Sequence, residues 1–220
     1  MTAEDIYTPP PDCGLELVYS DKFLLAVNKP AGLLSVPGRG ADKLDSLATR
    51  VQAEYPEALV SHRLDRDTSG LLLFPRGADM HRKISLMFEK REMQKSYVAV
   101  VMGKLETEQG EVNMPLIVDW PNRPRHMVDE RNGKPAQTRY SVLSYDAATN
   151  TSRVSLLPIT GRTHQLRVHM AAIGHPIVGD TLYGGNADGR AARLLLHAHT
   201  LEFRHPVSGN TISLSSELPF

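Results

Sequence analysis

The most informative segment of this chain reads Ser61-His-Arg-Leu-Asp-Arg-Asp-Thr-Ser-Gly70 and runs directly into Leu71-Leu-Leu-Phe-Pro75. The first part is polar and irregular, whereas the second is a short apolar run that is typical of a fully buried strand. The pattern therefore predicts that Asp65, two residues from Arg63, lies in a loop beside a central strand. A carboxylate and an arginine in such a loop form either a surface ion pair or part of a binding site.

A second polar segment, Thr160-Gly-Arg-Thr-His-Gln-Leu-Arg-Val-His169, lies where a helix is predicted to begin. It contains two arginines, one glutamine and two histidines. Charged side chains are rarely concentrated in this way unless they are paired or bind a ligand. The second segment therefore favours the binding-site interpretation of the first.

Hydrophobic periodicity predicts strands that cluster, with occasional helices between them. The predicted strands are 15–19, 23–28, 70–75, 95–102, a hairpin over 136–157 around Asp146–Asn150, 193–203 and 211–214. The predicted helices are 43–55 with Asp42 as N-cap, 80–90 capped by Asp79, and one that starts near Thr163 and ends before Gly174. Because strands and helices do not alternate regularly, the fold class is predicted to be α+β, with a mixed, mostly antiparallel sheet.

Composition indicates an ordinary globular protein, with 41% hydrophobic and 23% charged residues among 220. No apolar run approaches the roughly 20 residues that span a bilayer, and the acidic, Pro-rich residues 1–12 do not resemble a secretory signal. Cys13 is the single cysteine, which excludes an intramolecular disulfide. We therefore expect a cytoplasmic protein with no membrane association.

The distribution of charge matters more than its sum, since 25 basic and 25 acidic residues cancel. Between Pro121 and Tyr140, five basic residues, including Arg123 and Arg125, accompany only two acidic ones. Such a local basic group is what contacts with nucleic-acid phosphates require. The alternative is a solvated surface, which is common for charged clusters.

Other functional motifs are absent or incomplete. The histidine pairs His197/His199 and His164/His169 lack the spacing of a helical zinc site, and no thiolate joins them, so no metal site is predicted. No Gly-x-Ser-x-Gly elbow occurs. Gly38-Arg39-Gly40 lacks the remaining residues of a phosphate-binding loop.

Taken together, these segments resemble the RluA-type family of pseudouridine synthases. Val27-Asn-Lys-Pro-Ala-Gly32 is similar to the first motif of the family, His62–Gly70 to its catalytic loop, Lys95-Ser-Tyr-Val-Ala99 to its aromatic strand, and Gly161–His169 to its arginine motif. The resemblance implies the pseudouridine synthase fold, with a central sheet flanked by helices and loops. It also implies an isomerase that converts uridine in folded RNA to pseudouridine without a cofactor.

Further segments resemble the dual-specificity branch of this family, which acts on 23S ribosomal RNA and on the anticodon arm of tRNA. These segments are 35–39, 120–124 and 133–138. Many relatives carry an S4-type RNA-binding domain ahead of the catalytic one, whereas the catalytic pattern here begins by about residue 15. We therefore expect a loose segment at 1–14 and a single catalytic domain at 15–220, without an S4 domain, that acts as a monomer with no obligate protein partner.

The resemblance also implies roles for individual residues. Asp65 corresponds to the catalytic aspartate and Arg167 to the arginine that keeps it ionised. Tyr97 corresponds to the tyrosine that stacks on the target uracil, although a core aromatic of a strand is the alternative. The residues expected to bind RNA or to support base flipping are Arg63, His62, Arg162, Gln165, Arg123 and Arg125.

Three other functions are compatible with parts of the sequence. A related synthase specific for another tRNA uridine would share the catalytic residues and differ in loops such as 120–125. A catalytically silent RNA-binding module is disfavoured by the intact Asp65, Tyr97 and Arg167. A glycosidase would need two carboxylates on opposite sides of its substrate, and Asp65 and Asp67 lie too close in one loop.

Overall fold

The computed structural model describes residues 7–185 and 189–220. Within these residues the strands and helices are, in chain order, β1 Leu17–Ser20, β2 Leu24–Lys29, α1 Leu47–Glu54, β3 Ser69–Pro75, α2 Ala78–Glu89, β4 Gln94–Met102, β5 Gln109–Asn113, β6 Leu116–Val118, β7 His126–Val128, β8 Gln137–Asp146, β9 Thr151–Pro158, α3 Gln165–Ala172, β10 Leu196–Arg204 and β11 Thr211–Ser215. Strands outnumber helices and do not alternate with them, so the predicted α+β class is confirmed.

The chain divides into two units, one formed by residues up to Gln94 with Thr200–Glu217, the other by Lys95–His199 with Leu218–Phe220. The sequence predicts a loose segment at 1–14, of which residues 1–6 lie outside the described residues, and one catalytic domain over 15–220. Both expectations stay predictions. No helix among the described residues is long and apolar enough to cross a membrane.

The first unit is built on antiparallel strands. β1 pairs with β2, and β2 pairs with β3 from Leu24 opposite Pro75 to Lys29 opposite Gly70. Every residue of β3 is buried, which confirms the prediction from its continuous apolar run. Met80 and Ile84 of α2 pack with strand residues such as Leu73 in one core cluster, since positions four apart share one face of a helix.

Both predicted N-caps in the first unit were wrong. α1 begins after Ser46, whose side chain accepts a hydrogen bond from Thr49 N while Thr49 in turn bonds the Ser46 backbone. This reciprocal capping box satisfies two amide groups, whereas Asp42 lies in a separate short 3₁₀ turn, Ala41–Lys43. α2 begins after Gly77, and Asp79 lies inside its first turn, where its charge favours the helix dipole without capping it.

The second unit contains the antiparallel pairs β4–β9, β8–β9 and β5–β8, and the predicted 136–157 hairpin is confirmed as β8 and β9. Leu166 and Met170 of α3 pack with β4 and β9 residues in one core cluster, while Val168 packs in a second. The sequence did not predict β5, β6 or β7. These strands are short, and β6 and β7 form a separate two-stranded sheet on either side of the 119–125 loop.

Candidate active site

The loop that carries Asp65 is fixed at its start to strand β3. Ser61 Oγ donates to Leu73 O at 3.2 Å, and His62 Nε2 accepts from Leu73 N at 2.9 Å. The His62 ring also packs on Phe88 of α2, with ring centroids 4.4 Å apart. These contacts give His62 a supporting role that its motif position did not reveal, and direct contact of His62 with RNA stays a prediction.

The peptide groups on both sides of Asp65 are held by hydrogen bonds. Ser35 Oγ donates to Leu64 O at 2.7 Å and accepts from Leu64 N at 3.0 Å. On the other side, Arg66 O accepts from Lys29 Nζ at 2.8 Å and from Gly32 N at 2.9 Å. We call these contacts, made by Ser35, Lys29 and Gly32, the loop clamp. It fixes the backbone from which the half-buried Asp65 side chain projects.

Lys29 is fully buried and also donates to Pro30 O at 2.9 Å and to Leu33 O at 2.7 Å. A buried ammonium group is costly unless its protons are satisfied, and carbonyl oxygens are suitable partners. Lys29 therefore joins the turn after β2 to the Asp65 loop. The sequence placed Lys29 in a motif but gave no signal that its side chain organises this loop.

The other charged residues of the loop differ in surroundings. Asp67 pairs with Arg66, whose Nε lies 2.9 Å from Asp67 Oδ1, and both side chains are partly exposed. Arg63 is exposed, which leaves its guanidinium accessible to a large ligand. Asp67 is a second carboxylate in the same loop, which makes it a useful comparison for Asp65.

In the second unit, Arg167 forms a bidentate ion pair with Asp180. Arg167 Nε lies 2.7 Å from Asp180 Oδ2, and Nη2 lies 2.8 Å from Oδ1, with side-chain exposures of 3% and 0%. Parallel hydrogen bonds of this kind fix the plane of a guanidinium group. The sequence predicted a functional role for Arg167 but missed Asp180, because the two residues lie 13 positions apart with no local pattern linking them.

Asp180 also organises the turn that follows it. Its Oδ1 accepts from Leu182 N at 2.9 Å and from Tyr183 N at 3.0 Å. Burial alone would raise the pKa of Asp180, but the hydrogen bonds and charge of Arg167, with these two amides, hold the pKa below its ordinary value. Asp180 is therefore ionised at neutral pH. The residue before it must be glycine, because Gly179 has φ +76° and a Cβ there would collide with Arg193 O.

Gln165 is 3% exposed and ties together the loop before α3. Its Oε1 accepts from Thr160 Oγ1 at 2.6 Å and from Arg162 N at 3.0 Å, while Nε2 donates to Gln137 O at 2.9 Å. These partners place the Gln165 amide inside the protein. Arg162, in contrast, is exposed, with its Nε donating to Pro135 O at 3.1 Å.

Tyr97 lies in β4 opposite Leu156 of β9 and is half-buried beside a core cluster. Lys95 lies two residues earlier, so both side chains point to the same face of the strand. Burial lowers the pKa of Lys95 below its ordinary value. The sequence singled out Tyr97 but gave Lys95 no separate role.

Tyr183 connects the region of the ion pair to the 119–125 loop. Its hydroxyl accepts from His126 N at 2.7 Å and shares a hydrogen bond with His164 Nδ1 at 2.7 Å. The guanidinium carbons of Arg167 and Arg125 lie 5.2 Å and 5.5 Å from the centre of its ring. His164 adopts φ +55°, an uncommon value for a residue other than glycine, immediately before α3.

Comparison with known proteins identifies the fold and the chemistry. A family model described as RNA pseudouridylate synthase matches residues 23–172. The chain belongs to the RNA pseudouridylate synthase family. It is 49% identical to the dual-specificity RNA pseudouridine synthase RluA of Escherichia coli K12, over 97% of this chain and 98% of that protein. It is 48% identical to the RluA of Pasteurella multocida, over 97% of this chain and 98% of that protein.

The solved structure of human RNA pseudouridylate synthase domain containing 1 aligns with a TM-score of 0.80 and 29% identity, covering 97% of this chain and 87% of the human one. The predicted pseudouridine synthase fold and isomerase activity are therefore confirmed. As a pseudouridine synthase, this enzyme acts on RNA and rearranges a uridine. Among the described residues, no three His, Cys, Asp or Glu side chains form a group that could hold a metal ion.

Proposed function

We propose that this pseudouridine synthase modifies uridines in stem-loops of 23S ribosomal RNA and in the anticodon arm of tRNA, with Asp65 as its catalytic carboxylate. The substrate proposal is supported by relatives named dual-specificity synthases, at up to 49% identity over nearly the whole chain. The assignment of Asp65 rests on the loop clamp, because Ser35, Lys29 and Gly32 hold the peptide groups on both sides of this residue.

The reaction breaks the N1–C1′ bond of uridine and forms a C5–C1′ bond. A proton leaves C5 and a proton is gained at N1, so the product has the same atoms and oxidation state as the substrate. An ionised carboxylate can serve such a reaction by attacking as a nucleophile or by stabilising positive charge that develops at C1′. We propose that no cofactor takes part.

Tyr97 and Arg167 complete the proposed catalytic set. Tyr97 stacks on the target uracil, and Arg167 contributes a fixed positive charge to the catalytic set. Asp180 acts as a positioning residue, because its two hydrogen bonds fix the guanidinium plane of Arg167. An arginine held in this way loses little side-chain entropy when it engages a further group.

The target nucleotide must leave the RNA stack before its C1′ becomes accessible, at a cost of roughly a few kcal/mol. We propose that the exposed Arg63 occupies the vacated position, and that Arg123, Arg125 and Arg162 contact phosphates. These side chains are all exposed.

His62 and Gln165 support the loops that carry Arg63 and Arg162. His62 Nε2 accepts from a backbone amide of β3. Both functional atoms of the buried Gln165 amide are engaged within the second unit.

The same proposal places the enzyme in the cytoplasm, where its RNA substrates are made, as a monomer without an obligate protein partner. A free, exposed Cys13 suits a reducing compartment.

A single-turnover assay with synthetic 23S and tRNA stem-loops tests the proposal. Asp65→Asn keeps the size of the side chain but removes its charge, so turnover should fall by at least ~10⁴, or about 5.5 kcal/mol of barrier. Asp67→Asn, in the same loop, is the matched control and should keep most of the activity. A folded Asp65→Asn enzyme with near wild-type turnover would contradict the carboxylate assignment.

The substrate assignment is tested separately by mapping pseudouridines in RNA from cells with and without the gene. We expect the loss of sites in both 23S ribosomal RNA and tRNA. Loss of a different tRNA site alone would contradict the proposed substrates while leaving the chemistry of Asp65 intact.

A further inference from the structure

Trp120 is exposed in a way that neither folding nor the proposed chemistry explains. Its relative accessibility is 65%, and it is the only tryptophan in the chain. Aromatic side chains of this size stabilise a fold or an interface mainly by burying their surface, so an indole left in solvent adds little to the stability of the fold. Its position suggests that a binding partner covers it.

The loop around Trp120 holds the indole in a defined position. Asp119 N donates to Arg125 O at 3.0 Å, and Arg125 N donates to Asn122 O at 3.0 Å. The Asn122 side chain also donates to both carboxylate oxygens of Asp119, at 3.1 and 2.9 Å. Because the two ends of the loop continue into paired strands β6 and β7, the indole is presented on an ordered platform.

A cation covers part of the indole. The guanidinium carbon of Arg123 lies 4.4 Å from the centre of the Trp120 ring, and Arg125 is exposed in the same loop. Unpaired RNA bases stack on aromatic side chains and on arginine planes, and neighbouring cations attract the phosphates of the same nucleotides. The positive charge of this loop favours RNA over an apolar protein surface as the partner.

We propose that Trp120, against whose ring the Arg123 guanidinium lies, forms a stacking site for one unpaired base of the substrate RNA, other than the uridine that reacts. This inference rests on the proposed function and extends it to a second nucleotide. A stacking site reads an unpaired base and would favour stem-loops in which that base is free to leave the stack. It would therefore contribute to the choice of substrate and not to the chemical step.

Intrinsic fluorescence tests the proposal directly, since Trp120 is the only indole. Stem-loop RNA is titrated into the Asp65→Asn protein, which binds without turnover, and base stacking should quench the emission. Abasic nucleotides are then introduced one at a time into the RNA loop. We expect a single abasic position, distinct from the target uridine, to abolish the quenching while binding persists.

Kinetics of substituted enzymes provide the second measurement. Trp120→Ala should raise KM about 5- to 150-fold with little change in kcat, the range typical of losing one stacked base. Trp120→Phe keeps a π face and should recover much of this loss, whereas Trp120→Leu should not. Tyr145→Ala is the matched control, because Tyr145 is an exposed aromatic with a cation, Lys104, 5.6 Å from its ring centre.

The outcomes separate this site from the proposed function. Normal isomerisation of both stem-loops without quenching, and with an unchanged KM for Trp120→Ala, would overturn the stacking site alone. The opposite outcome is also possible to observe: the RNA quenches the fluorescence, one abasic position abolishes the quenching, and the wild-type enzyme binds this RNA without isomerising it. That result would support the stacking site and overturn the proposed substrates. A Trp120→Phe variant as weak as Trp120→Ala would also contradict stacking.

Discussion

Replacing Asp180 by asparagine should destabilise the enzyme strongly, because it removes one charge of a fully buried pair. Asp180 and Arg167 have side-chain exposures of 0% and 3%, so the remaining guanidinium charge cannot be solvated without local unfolding. Breaking such a pair costs about 3–5 kcal/mol. For a chain of this size, each kcal/mol corresponds to about 2–4 °C in Tm, so we expect a decrease of roughly 6–20 °C at pH 7.

The control for this substitution is Asp129→Asn. Asp129 Oδ1 accepts from Arg131 N and Asn132 N, both at 2.9 Å, and so repeats the backbone contacts that Asp180 makes with the two amides after it. In the described part of the chain, the only side chain that donates to the Asp129 carboxylate is that of Asn132, at 3.4 Å, and Asp129 is only half-buried. Asp129→Asn should change the free energy of unfolding by no more than about 0.5 kcal/mol. Differential scanning calorimetry gives the Tm of both variants and of the wild type.

The effect of Asp180→Asn should depend on pH in a defined direction. The pKa of Asp180 is lower in the folded protein than the value of about 3.9 expected for an unfolded aspartate. Its stabilising contribution is therefore present above that unfolded value and is lost as pH falls through the folded pKa. The difference in Tm between wild type and variant should shrink in acid, and an equal Tm at pH 7 would refute the importance of the buried pair.

Three further predictions concern the loops. Ser35→Ala removes the hydroxyl that bonds both the N–H and the C=O of the buried Leu64, so the free energy of unfolding should fall by about 1–3 kcal/mol. If the same bonds position Asp65, kcat should fall by a larger factor than KM rises. Thermal unfolding and steady-state kinetics measure the two effects, and an unchanged kcat would show that Ser35 does not position Asp65. Asp65→Asn should bind stem-loop RNA within a few-fold of wild type in a filter-binding assay, whereas a large loss would indicate a binding role. Replacing Arg123 and Arg125 together by alanine should weaken RNA binding and flatten its salt dependence, and an unchanged slope would show that they do not contact phosphates.

Local sequence patterns predicted those parts of the fold whose signals are local. The apolar run of β3 and the alternation of β8 and β9 each lie within one short segment, and the observed strands match them. The start of α1 was predicted wrongly because Asp42 and Ser46 both suit an N-cap. The reciprocal contact between Ser46 and Thr49 decides between them.

The site was predicted only in part, because its supporting contacts join distant residues. Asp65, Tyr97 and Arg167 belong to recognisable motifs, whereas Asp180 looks like an ordinary turn residue until the fold brings it to Arg167. Lys29 also lies in a motif, yet nothing in that motif shows that its ammonium group is buried among carbonyl oxygens. Sequence periodicity carries no information about such pairings, since each depends on tertiary contacts.

The loop clamp has a consequence for how this enzyme could diversify. The bonds from Ser35, Lys29 and Gly32 to Leu64 and Arg66 are made to main-chain atoms, which every amino acid except proline supplies as both donor and acceptor. Side chains in this loop can therefore change without removing the bonds that hold the backbone on both sides of Asp65. New substrate preferences can arise in this loop by single mutations while the reaction itself is preserved.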